Sequence, residues 1–283
     1  MSAQSAVKRD RKQLLRESWT QIALPYERDL VPRFLPWTHH TLDAFTGLNL
    51  PPHGQVVVPA CGPGHELLML AKALPESVRI LGIDLAEGMV EVANQRIEAA
   101  GCSERVHAVA GDACSLPTEW QPISGIVSCF GLQQLPEPHR VLTSWVQSLA
   151  PGGVLAVCYW PGSVEEAGPW HRMTQLTANK KPLKQDETAD WESQIPVLAA
   201  AEGADVLVDA IPQYDMKWPN AETFWKVMTE AGPWHARMLH YGQQHMDDLK
   251  VEFLRAYPDS SAPLEHAPRA RVIIMRRHKK AML

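Results

Sequence analysis

From residue 54 to 160 the sequence alternates between short β-branched apolar runs and longer stretches with helical apolar spacing. "QVVVPA", "VRILGID", "RVHAVAGD", "ISGIVSCF" and "GVLAVCYW" read as strands. "GHELLMLAKALP", "GMVEVANQRIEAA" and "EPHRVLTSWVQSLA" read as helices, the last closed by "PGG". In the second of these, Met89, Val90, Val92 and Ile97 form an apolar face and the opposite face is solvated. Apolar strands separated by helices of this length imply βαβ units: a parallel sheet with helices on both faces, joined by right-handed crossovers.

The flanks differ in character. Residues 10–48 read as two helices, the second interrupted by Pro32 and Pro36. After residue 160, six of the ten tryptophans fall between Trp160 and Trp234, among prolines and short helical stretches. "ADVLVDAI" and "ARVIIMRR" are two further strands there, which brings the sheet to about seven. The chain of 283 residues therefore divides into a helical lid (1–50), an α/β core (51–160) and a helical cap that returns two strands to the sheet (161–283).

Composition narrows the partners. A net charge of −5 with 21% charged residues gives no electrostatic footprint for nucleic acid. The basic cluster "KRDRK" (Lys8 to Lys12) contains an acid and reads as a solvated N-terminal tail. No stretch approaches the roughly 18 apolar residues of a membrane span, and the N-terminus lacks the apolar region of a signal peptide. The five cysteines never form C-x-x-C, which argues against a disulfide framework or zinc site and for reduced thiols in the cytoplasm. The adjacent His39 and His40 are poorly placed to share a metal ion.

"VVVPACGPGHELLML" (Val56 to Leu70) carries the first functional signal. Gly62 and Gly64 lack a Cβ, so the chain can turn tightly and its backbone can approach a ligand closely. Pro63 pre-sets the turn. The helix that follows offers free N–H groups and a positive dipole end to an anionic group. The same Gly-Pro-Gly also serves a plain strand–helix turn.

Asp84 ends the second strand, 20 residues beyond Gly64. There it can accept both hydroxyls of an adenosine ribose, or cap the following helix. Asp112 ends the third strand, where it or its neighbouring backbone can meet an adenine amine. Two acids at successive strand ends favour a ligand crevice on the carboxyl edge. A nicotinamide dinucleotide is the competing ligand, but the third glycine of G-x-G-x-x-G would fall at Leu67, and Pro63 removes one N–H from the loop.

In order, "VVVPACGPG", "GIDLAEGM", "GDACSLP", "IVSCFGLQQLPEP" and "LAPGGVLAV" resemble the class I S-adenosylmethionine-dependent methyltransferases. The nearest group is the small-molecule one that includes the ubiquinone and menaquinone enzymes. The resemblance covers residues 50–160, with looser echoes at Ala23, Tyr26 and Glu27 and at "FWKVMTEAGPW". It implies a Rossmann-like doubly wound sheet whose last strand is antiparallel, with S-adenosyl-L-methionine as cofactor.

Carried over by position, the resemblance puts Ala60, Cys61, Gly62 and Gly64 around the methionine moiety. Asp84 falls at the ribose, with Leu85 and Met89 beside the adenine and Asp112 and Ala113 at its edge. Cys129 and Phe130 face the sulfonium and the substrate, and Tyr26 is a lid tyrosine. Two positions depart from the family pattern. Val58 and Ala60 stand where an acid and a glycine are usual, which bears on the contact to the methionine amino group. Gln133 and Gln134 replace a frequent His-His.

Methyl transfer of this kind needs the nucleophile and methyl held at attacking distance with water excluded, and no metal. A nucleophile that carries a proton also needs a base in reach. The cap is expected to supply the substrate pocket, through Trp160, Trp170, Trp225 and Trp234, with His171 and His235 as candidate bases. "GPWH" occurs twice, at Gly168–His171 and Gly232–His235, each as a helix start. An aromatic wall suits a flat aromatic substrate or an amine. No "N-P-P-Y"-like string follows the fourth strand, so a small metabolite is expected rather than a macromolecule. A non-catalytic or regulatory protein that binds the same cofactor is the alternative.

Overall fold

A computed structural model describes residues 10–179 and 191–279. Among the described residues three helices, not two, precede the sheet: α1 (Arg11–Gln21), α2 (Ala23–Asp29) and α3 (Val31–Thr46). The breaks fall at Ile22 and Leu30 rather than at the prolines. Pro32 sits in the first turn of α3, where its missing N–H has no intrahelical partner to lose, and α3 runs on through Pro36. Of the basic cluster, Lys8 and Arg9 lie outside the described residues. Arg11 and Lys12 are the first turn of α1 and not part of a free tail.

The alternating core follows: β1 (Gln55–Pro59), α4 (His65–Ala73), β2 (Ile80–Asp84), α5 (Glu87–Ala99), β3 (Val106–Ala110), β4 (Ile123–Cys129), α6 (Pro138–Ser148) and β5 (Leu149–Tyr159). These five strands are parallel. Every residue of β4 is buried, as in a central parallel strand, and its two serines, Ser124 and Ser128, donate to the carbonyls of Gln55 and Pro59. Side chains alternate between the two faces. Val56 and Val58 pack with Phe45 and Trp37 of α3 on one face, and Val57 packs with Trp145 of α6 on the other.

The cap begins with α7 (Pro169–Asn179) and α8 (Ile195–Ala201), then returns a strand, β6 (Ala204–Ala210). Next come β7 (Met216–Trp218), α9 (Ala221–Glu230), α10 (His235–Tyr241), α11 (Gln243–Leu254) and β8 (Leu264–His266). The final strand, β9 (Arg271–Arg277), enters between β5 and β6, antiparallel to both. The sheet order is β3-β2-β1-β4-β5-β9-β6, so seven strands form with the last in the chain reversed. Strand order turns back between β1 and β4, which opens a crevice beyond their carboxyl ends.

β7 and β8 form a separate two-stranded sheet. Three residues apiece are too few to carry a strand period in the sequence. The pairs Ala210–Val272, Gln213–Arg269 and Met216–His266 nevertheless step equally along both chains. From Val208 onward β6–β9 and β7–β8 are thus successive parts of one antiparallel ribbon in one register, which shifts by a residue between Val206 and Val208.

The buried Glu165 ties this ribbon to α7. Its Oε1 accepts the backbone N–H groups of Trp170 (2.6 Å) and His171 (3.0 Å), and its Oε2 accepts from His266 Nδ1 at 2.7 Å. His266 Nε2 in turn accepts from Trp218 Nε1 at 3.0 Å. Among the described residues no helix is long and apolar enough to cross a membrane.

Candidate functional site

The crevice is a cavity of about 320 Å³, a volume suited to a small molecule. Its floor is the loop after β1 and the ends of β2, β3 and β4, and its roof is α1 to α3. Among the described residues its lining falls between Asp10 and Pro136, so the described part of the cap contributes none.

The loop turns by placing alternate residues at positive φ: Ala60 at 52°, Gly62 at 50° and Gly64 at 82°. A Cβ built on Gly62 would meet nothing within 4 Å, so the loop's backbone is open to a ligand there. Gly64 does a different job. Its Cβ would lie 3.0 Å from that of Ala93, so it closes the loop onto α5 and does not line the cavity. Gly62 donates its N–H to Asp84 Oδ2 at 2.9 Å, and Ala86 donates to Oδ1 at 2.9 Å. Burial pushes the Asp84 carboxyl up, against the pull of these amides and that of Leu85.

Asp112 faces the roof. Its Oδ2 accepts from Lys12 Nζ at 2.6 Å and its Oδ1 from the Cys114 N–H at 2.9 Å. Burial alone would raise this carboxyl, but Lys12 and Cys114 together hold it below its ordinary value. Arg16 of α1 pairs with Glu87 of α5, which fastens the same helix a turn further on.

His65 and Glu66 open α4 at the loop's far side. Burial drives the His65 imidazole down to about 4, helped by Arg96, whose Nη1 lies 2.5 Å from its Nδ1. Burial raises the Glu66 carboxyl to about 7, with the charge of Asp84 adding and Arg96 opposing.

The remaining wall is aromatic. Phe130, at φ 61°, lies 5.0 Å from Phe34 between ring centroids. Tyr26 sits edge-on to Trp19 at 5.3 Å and to Phe34 at 6.2 Å.

Tyr26, Ala60, Cys61, Gly62, Asp84, Leu85, Met89, Asp112, Ala113, Cys129 and Phe130 therefore share one cavity, and Gly64 stands behind it. The four tryptophans named for the substrate do not line it. Trp160 stacks on the back of Phe130 at 4.5 Å, and Trp170 lies 6.4 Å from Phe34. Trp234 abuts Trp170 at 6.1 Å, one layer further out. Trp225 borders a second cavity among α9 to α11, together with His235. α3 lies between cap and crevice, so the cap tryptophans back the wall and do not form it.

The candidate bases are likewise elsewhere. His171 donates its backbone N–H to Glu165. His235 is buried between Gln21 Oε1 at 3.2 Å and the Thr229 carbonyl at 3.3 Å. Sequence reasoning passed over Lys12, Trp19, Phe34, His65 and Glu66, all on the cavity wall. A signal for Glu66 existed, since side chains in the first turn of a helix lean back toward its N-terminus, here the loop. Among the described residues no group of His, Cys, Asp and Glu is placed to hold a metal ion.

A family model described as a methyltransferase domain matches residues 56–153, from β1 into β5. Over 146 residues the chain is 32% identical to a trans-aconitate 2-methyltransferase of Methylobacterium nodulans, covering 52% of each. Over 106 residues it is 29% identical to a demethylmenaquinone methyltransferase of Bacillus cereus, covering 38% of this chain and 44% of that one. The chain thus spans about half the length of the curated relatives it matches. In fold it is similar to a phosphoethanolamine N-methyltransferase 2 of Haemonchus contortus solved in complex with S-adenosyl-L-methionine. That likeness has a TM-score of 0.56 at 15% identity, and covers 97% of this chain and 61% of the other. With the strand order and the loop described above, these likenesses place the match to a methyltransferase domain on residues 56–153, the part of the chain that builds the floor of the cavity.

Proposed function

We propose that the protein transfers a methyl group from S-adenosylmethionine to a small-molecule nucleophile (O, N, S or C) held against Phe34 and Phe130. One observation carries this reading: the open backbone at Gly62 and the carboxylates of Asp84 and Asp112 converge on one cavity with an aromatic wall.

The donor set fits the cofactor. The two Asp84 oxygens accept the Gly62 and Ala86 N–H groups, and the carboxylate keeps lone-pair capacity for a ribose hydroxyl. Leu85 and Met89 offer an apolar slot for the adenine, with Asp112 and Ala113 at its edge. When bound, S-adenosylmethionine supplies a methyl group already activated by its positive sulfur. The chain's share is positioning. The loop and Asp84 fix one partner, and Phe34 and Phe130, braced by Trp160, orient the other. α1 to α3 exclude water from above. Neither His171 nor His235 lines the cavity, so catalysis by proximity is the reading the geometry supports.

The five cysteines are free, three of them buried, which suits the reducing cytoplasm. Calorimetry with S-adenosylmethionine and with NAD tests the cofactor, and binding of NAD alone would overturn the reading. A labelled-methyl screen over O, N, S and C acceptors tests the reaction. Silence across the screen with cofactor binding intact would instead indicate a non-catalytic, regulatory role.

A further inference from the structure

Four carboxylates line the cavity; Asp10, at the start of α1, is exposed, and of the other three two are engaged. Asp84 holds the Gly62 and Ala86 amides, and Asp112 holds Lys12 and the Cys114 amide. Glu66 is different. Among the described residues it has no ion pair and no hydrogen bond beyond its own backbone N–H. It is the second residue of α4, on the cavity wall, at the end away from Asp112. Its charge acts on Tyr26, Cys61 and Cys129, which surround that end from α2, the β1 loop and β4. β1 itself offers no acid there, because Val58 is 1% exposed and packed in the core.

A half-buried carboxylate without a partner is costly unless something cationic completes it. The cofactor assigned to this cavity carries two positive groups. Its sulfonium has no hydrogen to donate, whereas its α-ammonium has three, and a carboxylate is an acceptor of hydrogens. We infer that Glu66 receives the α-ammonium of the cofactor's amino-acid moiety and so fixes the methionine end of the ligand. This rests on the cofactor reading proposed above.

The neighbourhood gives the pairing a pH signature. Around Glu66 stand Arg96 from α5, His65 beside it on α4, Asp84 from β2, Tyr26 from α2, and the thiols of Cys61, Cys129 and Cys158. Glu27 lies behind Arg96, with Oε1 3.4 Å from its Nη1. In the free protein the Glu66 carboxyl loses its proton near pH 7, so ammonium binding below that pH must expel a proton.

Two ligands separate the possibilities: S-adenosylhomocysteine, which has the amino-acid moiety and no sulfonium, and 5′-methylthioadenosine, which has neither. Glu66→Gln should weaken S-adenosylhomocysteine about tenfold or more and leave methylthioadenosine unchanged. Wild-type affinity for S-adenosylhomocysteine should rise about eightfold from pH 6 to pH 7.5, with proton release seen by calorimetry in buffers of differing ionisation enthalpy. The variant should lose that dependence. Equal loss for both ligands, no loss for either, or loss confined to S-adenosylmethionine would overturn the inference. A wild-type protein that binds neither nucleoside would instead overturn the cofactor reading beneath it.

Discussion

Gly62 and Asp84 are joined by a 2.9 Å hydrogen bond from loop amide to carboxylate, so one side chain both shapes the loop and faces the cavity. Asp84→Asn keeps the volume but turns one acceptor oxygen into a donor, which must then oppose either the Gly62 or the Ala86 N–H. We expect affinity for S-adenosylhomocysteine to fall more than tenfold and stability to fall by about 1–3 kcal/mol. Calorimetry and urea denaturation of the same preparation would check both. A variant with normal affinity would remove Asp84 from the ligand site.

Ala60 holds φ 52°, a left-handed conformation that its Cβ disfavours. Ala60→Gly relieves that cost, offset in part by the greater freedom of glycine in the unfolded chain. A net gain of about 1 kcal/mol is expected in denaturant unfolding, with ligand affinity retained. A loss of stability would mean that the contact of Ala60 beneath Gly131 outweighs the strain.

His65 and Glu66 make opposing contributions to stability against pH. Glu66 titrates at about 7 in the fold against an ordinary 4.5, so its share of stability is full below 4.5 and is lost as pH rises to 7. His65 titrates at about 4 against an ordinary 6.5, so its share is full above 6.5 and is lost as pH falls to 4. Between pH 4.5 and 6.5 the two slopes cancel. Relative to wild type, His65→Asn should lose stability as pH rises through that window, and Glu66→Gln should gain it. Denaturation at the two ends of the window reads the signs directly.

Gly88 on α5 lets α1 lie flush against it, because a Cβ there would overlap the Thr20 carbonyl. Gly88→Ala should lift α1 from the cavity mouth, cost about 1–3 kcal/mol and speed ligand release about tenfold in stopped-flow measurements. Lys12→Ala removes only an exposed ion pair with Asp112, whose side chains are 56% and 44% exposed. It should cost under about 1 kcal/mol. Equal effects from both variants would show that the ion pair, and not the helix packing, seats α1.

Much of this was legible in the chain. The seven strands of the sheet follow from β-branched runs, and the reversed last strand from the family resemblance. The edge of the sheet that carries the cavity follows from Asp84 and Asp112 at successive strand ends. Less local features were not. Arg11 and Lys12, the first turn of α1, read as part of a tail because the apolar face of that helix is weak, with Leu14 and Ser18 its buried residues, and its place depends on α5 and α10 rather than on its own pattern. The tryptophans of the cap read as a pocket because composition records how many rings a segment holds and not what stands in front of them. Phe34 and Trp37, from the helix between, were the missing layer.

The register that β7–β8 shares with the pairing of β6 and β9 from Val208 onward also bears on how such a protein diversifies. Residues 211–270 leave the sheet and return to it on adjacent, paired strands, so topologically they are the turn of one hairpin grown to hold three helices. A turn can be lengthened, shortened or exchanged without re-threading the strands on either side. Because none of the segment touches the cavity, such exchange would leave the loop, Asp84 and Glu66 in place while resetting what lies behind Phe34 and Phe130.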